Sequence, residues 1–151
     1  MWWPFRTLDW TVAPGPASVE IASNLAAKLG AKLLPIEVTD FPDGESKIRI
    51  GEDVRNKRVI VVQSTYPPVD KHLMQLLVLS HKLSEDGADV FCAVPYLGYA
   101  RQDREFLPGE VVTLRVLGVD FGFSCSPVHR FCAGAKTQRA CPCSCPSELA
   151  K

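Results

Sequence analysis

One short run of residues, Arg58-Val59-Ile60-Val61-Val62-Gln63, constrains the fold of this chain more than any other. Its four consecutive β-branched residues have the side-chain shape that pleated strands favour. A continuous apolar run, without polar residues at alternate positions, is typical of a strand that is buried on both faces, as the strands of parallel sheets are. The run therefore predicts the central strand of a sheet that is covered on both sides.

The segments around this strand alternate between helical and extended patterns. They predict a helix from Pro16 to Gly30, a strand from Lys32 to Val38, an exposed strand from Ser46 to Ile50, a helix from Asp70 as N-cap to Gly87, a strand from Val90 to Val94 and a helix starting near Val111. Pro42-Asp43-Gly44 is a strong turn signal, so a half-exposed hairpin is expected around it. Strands that alternate with helices indicate an α/β domain with a mainly parallel sheet.

The stretch from Pro95 to Glu110 follows the last of these strands and is rich in charged residues. Within it, Arg101, Gln102, Asp103 and Arg104 are consecutive. Ligands of open α/β sheets bind beyond the carboxyl ends of the strands, and a guanidinium offers a planar fork to phosphate oxygens. The stretch therefore indicates a phosphate-rich ligand. A solvated, salt-bridged loop is the alternative, since charge runs are usually exposed.

Composition narrows the class of protein. With 151 residues, 46% of them hydrophobic and 23% charged, the chain can bury one core. The formal net charge is zero, which argues against a broad nucleic-acid surface because such a surface needs clustered excess Lys and Arg. No apolar run approaches the roughly 20 residues that span a bilayer, and Pro4, Arg6 and Asp9 interrupt the start as a signal peptide. The sequence predicts a cytoplasmic protein with no membrane partner.

The two ends of the chain differ in composition from the part between them. Residues 1–10 contain all three tryptophans without a strand or helix period, and we expect an extension there. Residues 119–151 hold five of the six cysteines and no sustained amphipathic pattern, so we expect no domain there. Cys141-Pro-Cys-Ser-Cys145 lacks the C-x-x-C pairing of a structural zinc site, although His129 and these thiols are metal-ligand types. No metal site is assigned.

Four motifs occur in order within residues 11–118, which we expect to form one domain. They are Pro14-Gly15-Pro16-Ala17-Ser18, Phe41-Pro42-Asp43-Gly44-Glu45, Val62-Gln63-Ser64-Thr65-Tyr66-Pro67-Pro68 and Pro95-Tyr96-Leu97-Gly98-Tyr99-Ala100-Arg101-Gln102-Asp103. At this spacing they closely resemble the amino-terminal domain of ribose-phosphate pyrophosphokinases (phosphoribosyl pyrophosphate synthetases), especially archaeal-type members. The resemblance implies a phosphoribosyltransferase-like three-layer α/β fold with a hairpin, and assembly into homo-oligomers.

The resemblance also implies an activity in nucleotide biosynthesis. Members of this family transfer the β,γ-diphosphoryl group of ATP to the 1-hydroxyl of ribose 5-phosphate, with Mg²⁺. Phe41, Asp43, Gly44 and Glu45 are implied to lie on a hairpin that reaches an ATP held mainly by the neighbouring subunit. There Phe41 would stack on adenine, and the two carboxylates would accept hydrogen bonds from its exocyclic amine or from the ribose. Taken without the family, Asp43-Gly44-Glu45 is equally compatible with a plain tight turn.

The same resemblance assigns the charged loop. Arg101 and Gln102 match positions that contact ATP in the family, and Asp103 and Arg104 continue that loop. A diphosphoryl transfer needs positive donors at the transferred group and at the leaving phosphate, because charge spreads over those oxygens in the transition state. Arg101 fits that role.

The remaining catalytic motifs of the family are not found after Gly118. An Asp-x-His motif, a lysine-arginine segment and the aspartate-rich loop that cradles ribose 5-phosphate are expected there, but Asp120 is followed by Phe121 and His129 stands after Pro127-Val128. No catalytic residue and no Mg²⁺ ligand is therefore assigned in this chain. The abrupt change suggests a shifted reading frame or a truncated gene, which the coding DNA downstream of codon 118 would reveal.

Three functions are compatible with these features. The first is a partial ribose-phosphate pyrophosphokinase that is inactive alone, and the second is a non-catalytic nucleotide-binding or regulatory relative that associates with full-length subunits. The third is a small metal-binding protein that uses the tail thiols. Turnover of ATP to AMP with ribose 5-phosphate distinguishes the first from the second, and metal analysis tests the third.

Overall fold

The β-branched run forms the middle strand of a five-stranded parallel sheet. The computed structural model describes residues 10–120 and 129–133. Their strands are β1 (Trp10–Pro14), β2 (Lys32–Leu33), β3 (Ile36–Asp40), β4 (Ser46–Ile50), β5 (Arg58–Val62), β6 (Asp89–Val94) and β7 (His129–Ala133), and their helices are α1 (Val19–Leu29), α2 (Val69–Glu85), α3 (Thr113–Asp120) and a short 3-10 helix at Pro16–Ser18. The predicted central position of Arg58–Val62 is confirmed.

The order of the strands places a topological switch point, where the chain changes the side on which it adds strands, next to β5. The sheet runs β2-β1-β5-β6-β7, with every pair parallel. From β1 the chain passes through α1 to β2 on one side, and the later strands are added on the other side. The switch point therefore lies between β1 and β5, which is where ligands bind in open α/β sheets.

Residues of β5 face two different cores, one on each side of the sheet. Val59 and Val61 are fully buried in a cluster with the α2 residues Leu76, Leu79 and Leu83. Val62 packs on the opposite face with Ala22 and Ala26 of α1, and Ile60 joins the edge of that cluster. The predicted three-layer α/β fold, with a helix on each face and a separate hairpin, is confirmed.

The predicted strand from Lys32 to Val38 is wrong as a single element, because the chain divides it between two sheets. Lys32–Leu33 pairs with β1, and the Leu34 amide still donates to the Val12 carbonyl at 2.8 Å. Pro35 follows, and a proline has no amide hydrogen with which to continue a ladder. The chain leaves the parallel sheet there, and Ile36–Asp40 pairs instead with Ser46–Ile50 as an antiparallel hairpin.

The predicted N-cap of the second helix is also wrong. The helix starts at Val69, the N-cap is Pro68, and no side chain caps the first turn. Pro68 has an extended backbone, so the helix begins directly after the two prolines. Asp70 consequently lies within the first turn, where its carboxylate accepts a hydrogen bond from the Tyr99 hydroxyl. The predicted end near Gly87 agrees with a helix that stops at Glu85.

Both ends of the described chain belong to the sheet. β1 begins at Trp10, whose ring centroid lies 5.1 Å from that of Phe91. β7 lies in the part of the sequence for which we expected no regular element, and it pairs with β6 along five residues. Cys132 lies within β7, whereas the other four tail cysteines lie outside the described residues, as do the leader tryptophans Trp2 and Trp3. Within the described part, no helix is long and apolar enough to cross a membrane.

The loop before β5 contains an ion pair with a measurable consequence. The Arg55 guanidinium donates to the Asp53 carboxylate at 2.6 Å, and the Arg55 amide donates to it at 3.0 Å. These bonds favour the charged carboxylate and lower the pKa of Asp53 from 3.8 to about 2. Since the folded state lowers this pKa, the stabilisation by the pair is complete above about pH 4 and is lost as the pH falls toward 2.

We expect an NMR titration of the Asp53 carboxyl to report a pKa near 2. Arg55→Met removes the largest cause and should return the pKa toward 3.8. Lys57→Met is the control, because Lys57 acts only through a weaker long-range attraction, so the shift should be much smaller. Equal shifts in the two variants would contradict the hydrogen-bond origin of the lowered pKa.

Candidate functional site

Three loops meet at the carboxyl edge of the parallel sheet. They follow β1 at Gly15, β5 at Gln63 and β6 at Pro95. Carboxyl ends of parallel strands meet at one edge, and the first two loops flank the switch point. The predicted ligand loop is the third of these, so the structure places it where the fold offers a binding site.

Gln63 joins the first two loops from inside. Its side chain is fully buried; Oε1 accepts from the Ala17 amide at 3.1 Å, and Nε2 donates to the His72 carbonyl at 3.3 Å. Gly15 lies directly against it, because a Cβ built on Gly15 would come within 2.1 Å of Oε1. In the sequence Gln63 is the polar residue that closes an apolar run and a member of the third family motif, and neither feature predicts its bonds to Ala17 and His72.

Thr65 anchors the loop that follows β6, residues 95–112, hereafter the β6 loop. Thr65 is fully buried, its amide donates to the Tyr96 carbonyl at 2.8 Å, and its hydroxyl oxygen accepts from the Gly98 amide at 2.6 Å. The backbone of Gly98 lies so close to α2 that an added Cβ would come within 2.4 Å of a Val69 methyl. Glycine, which has no Cβ, allows this close approach. The start of the β6 loop is therefore fixed to the end of β5.

The predicted site residues of the β6 loop, Arg101, Gln102, Asp103 and Arg104, are all exposed. Among the described residues Arg101 forms no ion pair, so its guanidinium faces solvent. The Arg104 guanidinium instead lies 5.1 Å from the centre of the Phe106 ring. The structure thus presents one unengaged arginine at the expected position.

Gln102 closes the β6 loop on itself. Its backbone amide donates to the Tyr99 carbonyl at 2.9 Å, and its backbone carbonyl accepts from the Leu114 amide at 3.3 Å. Its side-chain oxygen accepts from the Thr113 hydroxyl. Tyr99 has a positive φ of 62°, and its hydroxyl donates to Asp70, which raises the pKa of Tyr99. A residue expected to contact ATP therefore already connects the β6 loop to the start of α3.

The other predicted group, Phe41, Asp43, Gly44 and Glu45, lies at the turn between β3 and β4. The Phe41 amide donates to the Glu45 carbonyl at 2.8 Å, and the Glu45 amide donates to Asp43 Oδ1 at 3.1 Å. Gly44 has a φ of 93°, a conformation that favours glycine. The Phe41 ring is 44% exposed, so it is available for stacking.

A groove of about 530 Å³ separates this turn from α2. Its lining includes Asp43 and Glu45 from the turn and Lys71, Met74 and Gln75 from the helix. It lies on the hairpin side of the molecule, and no hydrogen bond or ion pair among the described residues joins the hairpin turn to residues 101–104. The two predicted groups are therefore not joined by a polar contact within the part of the chain that the structure describes.

A chain of polar contacts ties the hairpin to α2. Lys71 Nζ donates to Asp40 at 2.6 Å, the Ser46 hydroxyl donates to Asp40 at 2.6 Å, and Gln75 Nε2 donates to the Ser46 oxygen at 2.9 Å. The bond from Lys71, with that from Ser46, lowers the pKa of Asp40. Sequence reasoning missed Lys71 and Gln75, since neither belongs to a motif.

Among the side chains that the structure describes, no three His, Cys, Asp or Glu residues lie together as a metal-binding cluster. The two predicted groups support recognition chemistry. Arg101 can bind an anion, and the hairpin turn can bind a flat group that donates hydrogen bonds. Carboxylates at the turn accept hydrogen bonds, and an exposed aromatic ring offers a stacking face.

Comparison with known proteins agrees with this architecture. Residues 10–119 match the family described as the N-terminal domain of ribose phosphate pyrophosphokinase. The ribose-phosphate pyrophosphokinase of Sulfurisphaera tokodaii is 41% identical over 104 residues, which cover 68% of this chain and 36% of that protein. The one from Methanothermobacter thermautotrophicus is 45% identical over 102 residues, covering 67% and 35%.

A solved structure shows the same fold. The phosphoribosylpyrophosphate synthetase from Mycobacterium smegmatis superposes with a TM-score of 0.75 at 25% identity, over 83% of this chain and 42% of that one. The chain spans about a third of the length of the curated relatives it matches. The family model matches residues 10–119, which is most of the 151 residues of the chain. The chain therefore belongs to the ribose-phosphate pyrophosphokinase family, whose N-terminal domain it carries.

Proposed function

We propose that this chain provides the ATP-contacting part of a ribose-phosphate diphosphokinase and is inactive alone. The reaction is transfer of the diphosphoryl group of ATP to ribose 5-phosphate, which yields phosphoribosyl pyrophosphate and AMP in nucleotide biosynthesis. The observation that carries the proposal is the family match over residues 10–119, which includes the hairpin turn and the whole of the β6 loop. Cytoplasmic location and assembly into homo-oligomers stay predictions.

Arg101 is the residue to which we assign the phosphates. Its guanidinium is exposed and forms no ion pair with another described residue, so it loses no partner when a phosphate binds. A planar fork can donate to two phosphate oxygens at once. Gln102, Asp103 and Arg104 lie beside it on the same loop, with Gln102 holding the loop closed through Thr113.

The hairpin turn is the part that we assign to the nucleoside. Phe41 offers its exposed ring to adenine, and Asp43 and Glu45 offer acceptors to the exocyclic amine or the ribose. Asp43 is already oriented by the bond that Oδ1 accepts from the Glu45 amide, which leaves Oδ2 available. Because no hydrogen bond or ion pair joins this turn to residues 101–104 among the described residues, we propose that it serves an ATP held by a neighbouring subunit.

Mg²⁺ is implied by the family, and the described residues contain no ligand cluster for it. The part that we assign to this chain is confined to holding ATP, with the metal and the acceptor sugar bound elsewhere in an assembled enzyme.

The test uses the purified chain in two measurements. Equilibrium binding of Mg-ATP should be detectable, and formation of AMP from ATP with ribose 5-phosphate should not. Turnover by the chain alone would contradict the proposed inactivity. Absence of Mg-ATP binding, both alone and after mixing with a full-length relative, would contradict the nucleotide site. Binding of Mg-ATP by the chain, together with a change in the turnover of an added full-length relative, would favour the regulatory alternative.

A further inference from the structure

We infer that the first two turns of α2 are a shared support for the hairpin turn and the β6 loop, with Asp70, Lys71 and Gln75 as positioning residues. The inference rests on the proposed function only for what the two segments bind. Neither segment belongs to the five-stranded sheet: the hairpin forms its own two-stranded sheet, and the β6 loop has no strand. Because ladder bonds to the five-stranded sheet do not place the two segments, other contacts must position them, and side-chain contacts to α2 are among these.

Both strands of the hairpin are held where they enter and leave the turn. Asp40 is the last residue of β3, and Lys71 donates to it at 2.6 Å. Ser46 is the first residue of β4, and Gln75 donates to it at 2.9 Å. The hydroxyl of Ser46 donates in turn to Asp40, so the two contacts form one connected chain.

The burial of Gln75 shows which contact matters most. Lys71 and Asp40 are partly exposed, and pairs of that kind contribute little to stability. Gln75 is only 3% exposed, and its Oε1 has no partner among the described residues. A buried unpartnered oxygen is unfavourable, so a leucine would suit the helix packing better. A polar residue that the fold does not need points to its Nε2 bond with the hairpin as the reason for its presence.

The β6 loop is held by the same turn of the helix. Asp70 accepts from the Tyr99 hydroxyl, and the Tyr99 carbonyl accepts from the Gln102 amide at 2.9 Å. Tyr99 keeps a positive φ that is uncommon for a residue with a side chain, which requires surrounding contacts to hold it. Asp70 therefore acts on Gln102 through Tyr99.

Asp70 and Lys71 are consecutive residues of one helix that packs on the core through Leu73, Leu76 and Leu79. A rigid helix keeps the two contacts in a constant geometry. The two groups of predicted site residues, which no hydrogen bond or ion pair among the described residues joins, are therefore held relative to each other through α2.

The experiment measures ¹⁵N order parameters of the intact chain. Gln75→Leu and Lys71→Met should lower the values at the amides of residues 41 and 43–45 from about 0.85 to below about 0.6, and Tyr99→Phe should do so at residues 100–104. Lys71→Arg should restore the rigid values. Lys82→Met is the matched control, because among the described residues Lys82 pairs with Glu85 and Asp86, at the far end of α2.

Binding of Mg-ATP is measured on the same variants and should weaken about three- to tenfold in Gln75→Leu, with unchanged unfolding free energy. Unchanged order parameters in both Gln75→Leu and Lys71→Met would overturn the inference, whatever the binding data show. If the order parameters of Gln75→Leu fall throughout β5 and α2 and its unfolding free energy also falls, the inference is overturned too, since Gln75 would then stabilise the whole fold. Loosened turns with unaltered Mg-ATP affinity would uphold the support role and count against the proposed nucleotide site.

Discussion

Arg101→Ala is expected to abolish measurable binding of Mg-ATP. The guanidinium is exposed, forms no ion pair with a described residue and lies just beyond the carboxyl end of β6. Hydrogen bonds to charged groups contribute about 1.5 to 3 kcal/mol each, so losing a two-pronged contact weakens binding by about a hundredfold or more. In an assembled enzyme the loss in rate should reach about a thousandfold, if this arginine stabilises the transition state.

The matched control is Arg55→Ala. Arg55 is also an exposed arginine, but it lies in the loop before β5, at the opposite edge of the sheet, and pairs with Asp53. Isothermal titration with Mg-ATP should show normal affinity for this variant. Arg101→Lys should bind more weakly than the wild type, because an ammonium keeps the charge and loses the fork. Unaltered affinity of Arg101→Ala would refute the assignment of the phosphates.

Gly15→Ala is expected to destabilise the fold by about 2 to 4 kcal/mol, through overpacking and loss of buried hydrogen bonds. The added Cβ would approach Gln63 Oε1 to 2.1 Å and Gln63 Cβ to 2.7 Å. Gln63 is fully buried and cannot move aside without losing its bonds to Ala17 and His72. The loops after β1 and β5 would then separate at the switch point.

Denaturant unfolding of the two alanine variants Gly15→Ala and Gly30→Ala measures this effect. Gly30 is also a glycine with a special role, since it ends α1 with a φ of 61°, but no atom lies within 4 Å of its added Cβ. Its substitution should cost only about 1 kcal/mol, from backbone strain alone. If Gly15→Ala lowers the free energy of unfolding by no more than Gly30→Ala does, Gln63 can repack around the added methyl group.

Much of the fold could be predicted from local patterns. The apolar run at Arg58–Val62 indicates a strand buried on both faces, and it lies at the centre of the sheet. Gly30 ends the first helix in the left-handed conformation that its position predicts. Each of these features depends on a few consecutive residues, so the sequence carries the information directly.

The errors occurred where a longer-range contact competes with a local pattern. Lys32 to Val38 has the composition of one strand, but Leu34 pairs with β1 while Ile36 pairs with β4, and Pro35 breaks the ladder between them. Asp70 has the residue type of an N-cap, but the helix already begins at Val69. The Asp70 carboxylate instead accepts a hydrogen bond from the Tyr99 hydroxyl.

The candidate site divides in the same way. The sequence by itself determined the candidate residues, Phe41 to Glu45 and Arg101 to Arg104, because each group is contiguous and lies within a motif of the family. Only the tertiary structure decided what holds them. Lys71 reaches Asp40 across 31 residues, and Gln75 reaches Ser46 across 29. Such contacts depend on how the hairpin packs against α2, and no spacing in the sequence encodes that distance.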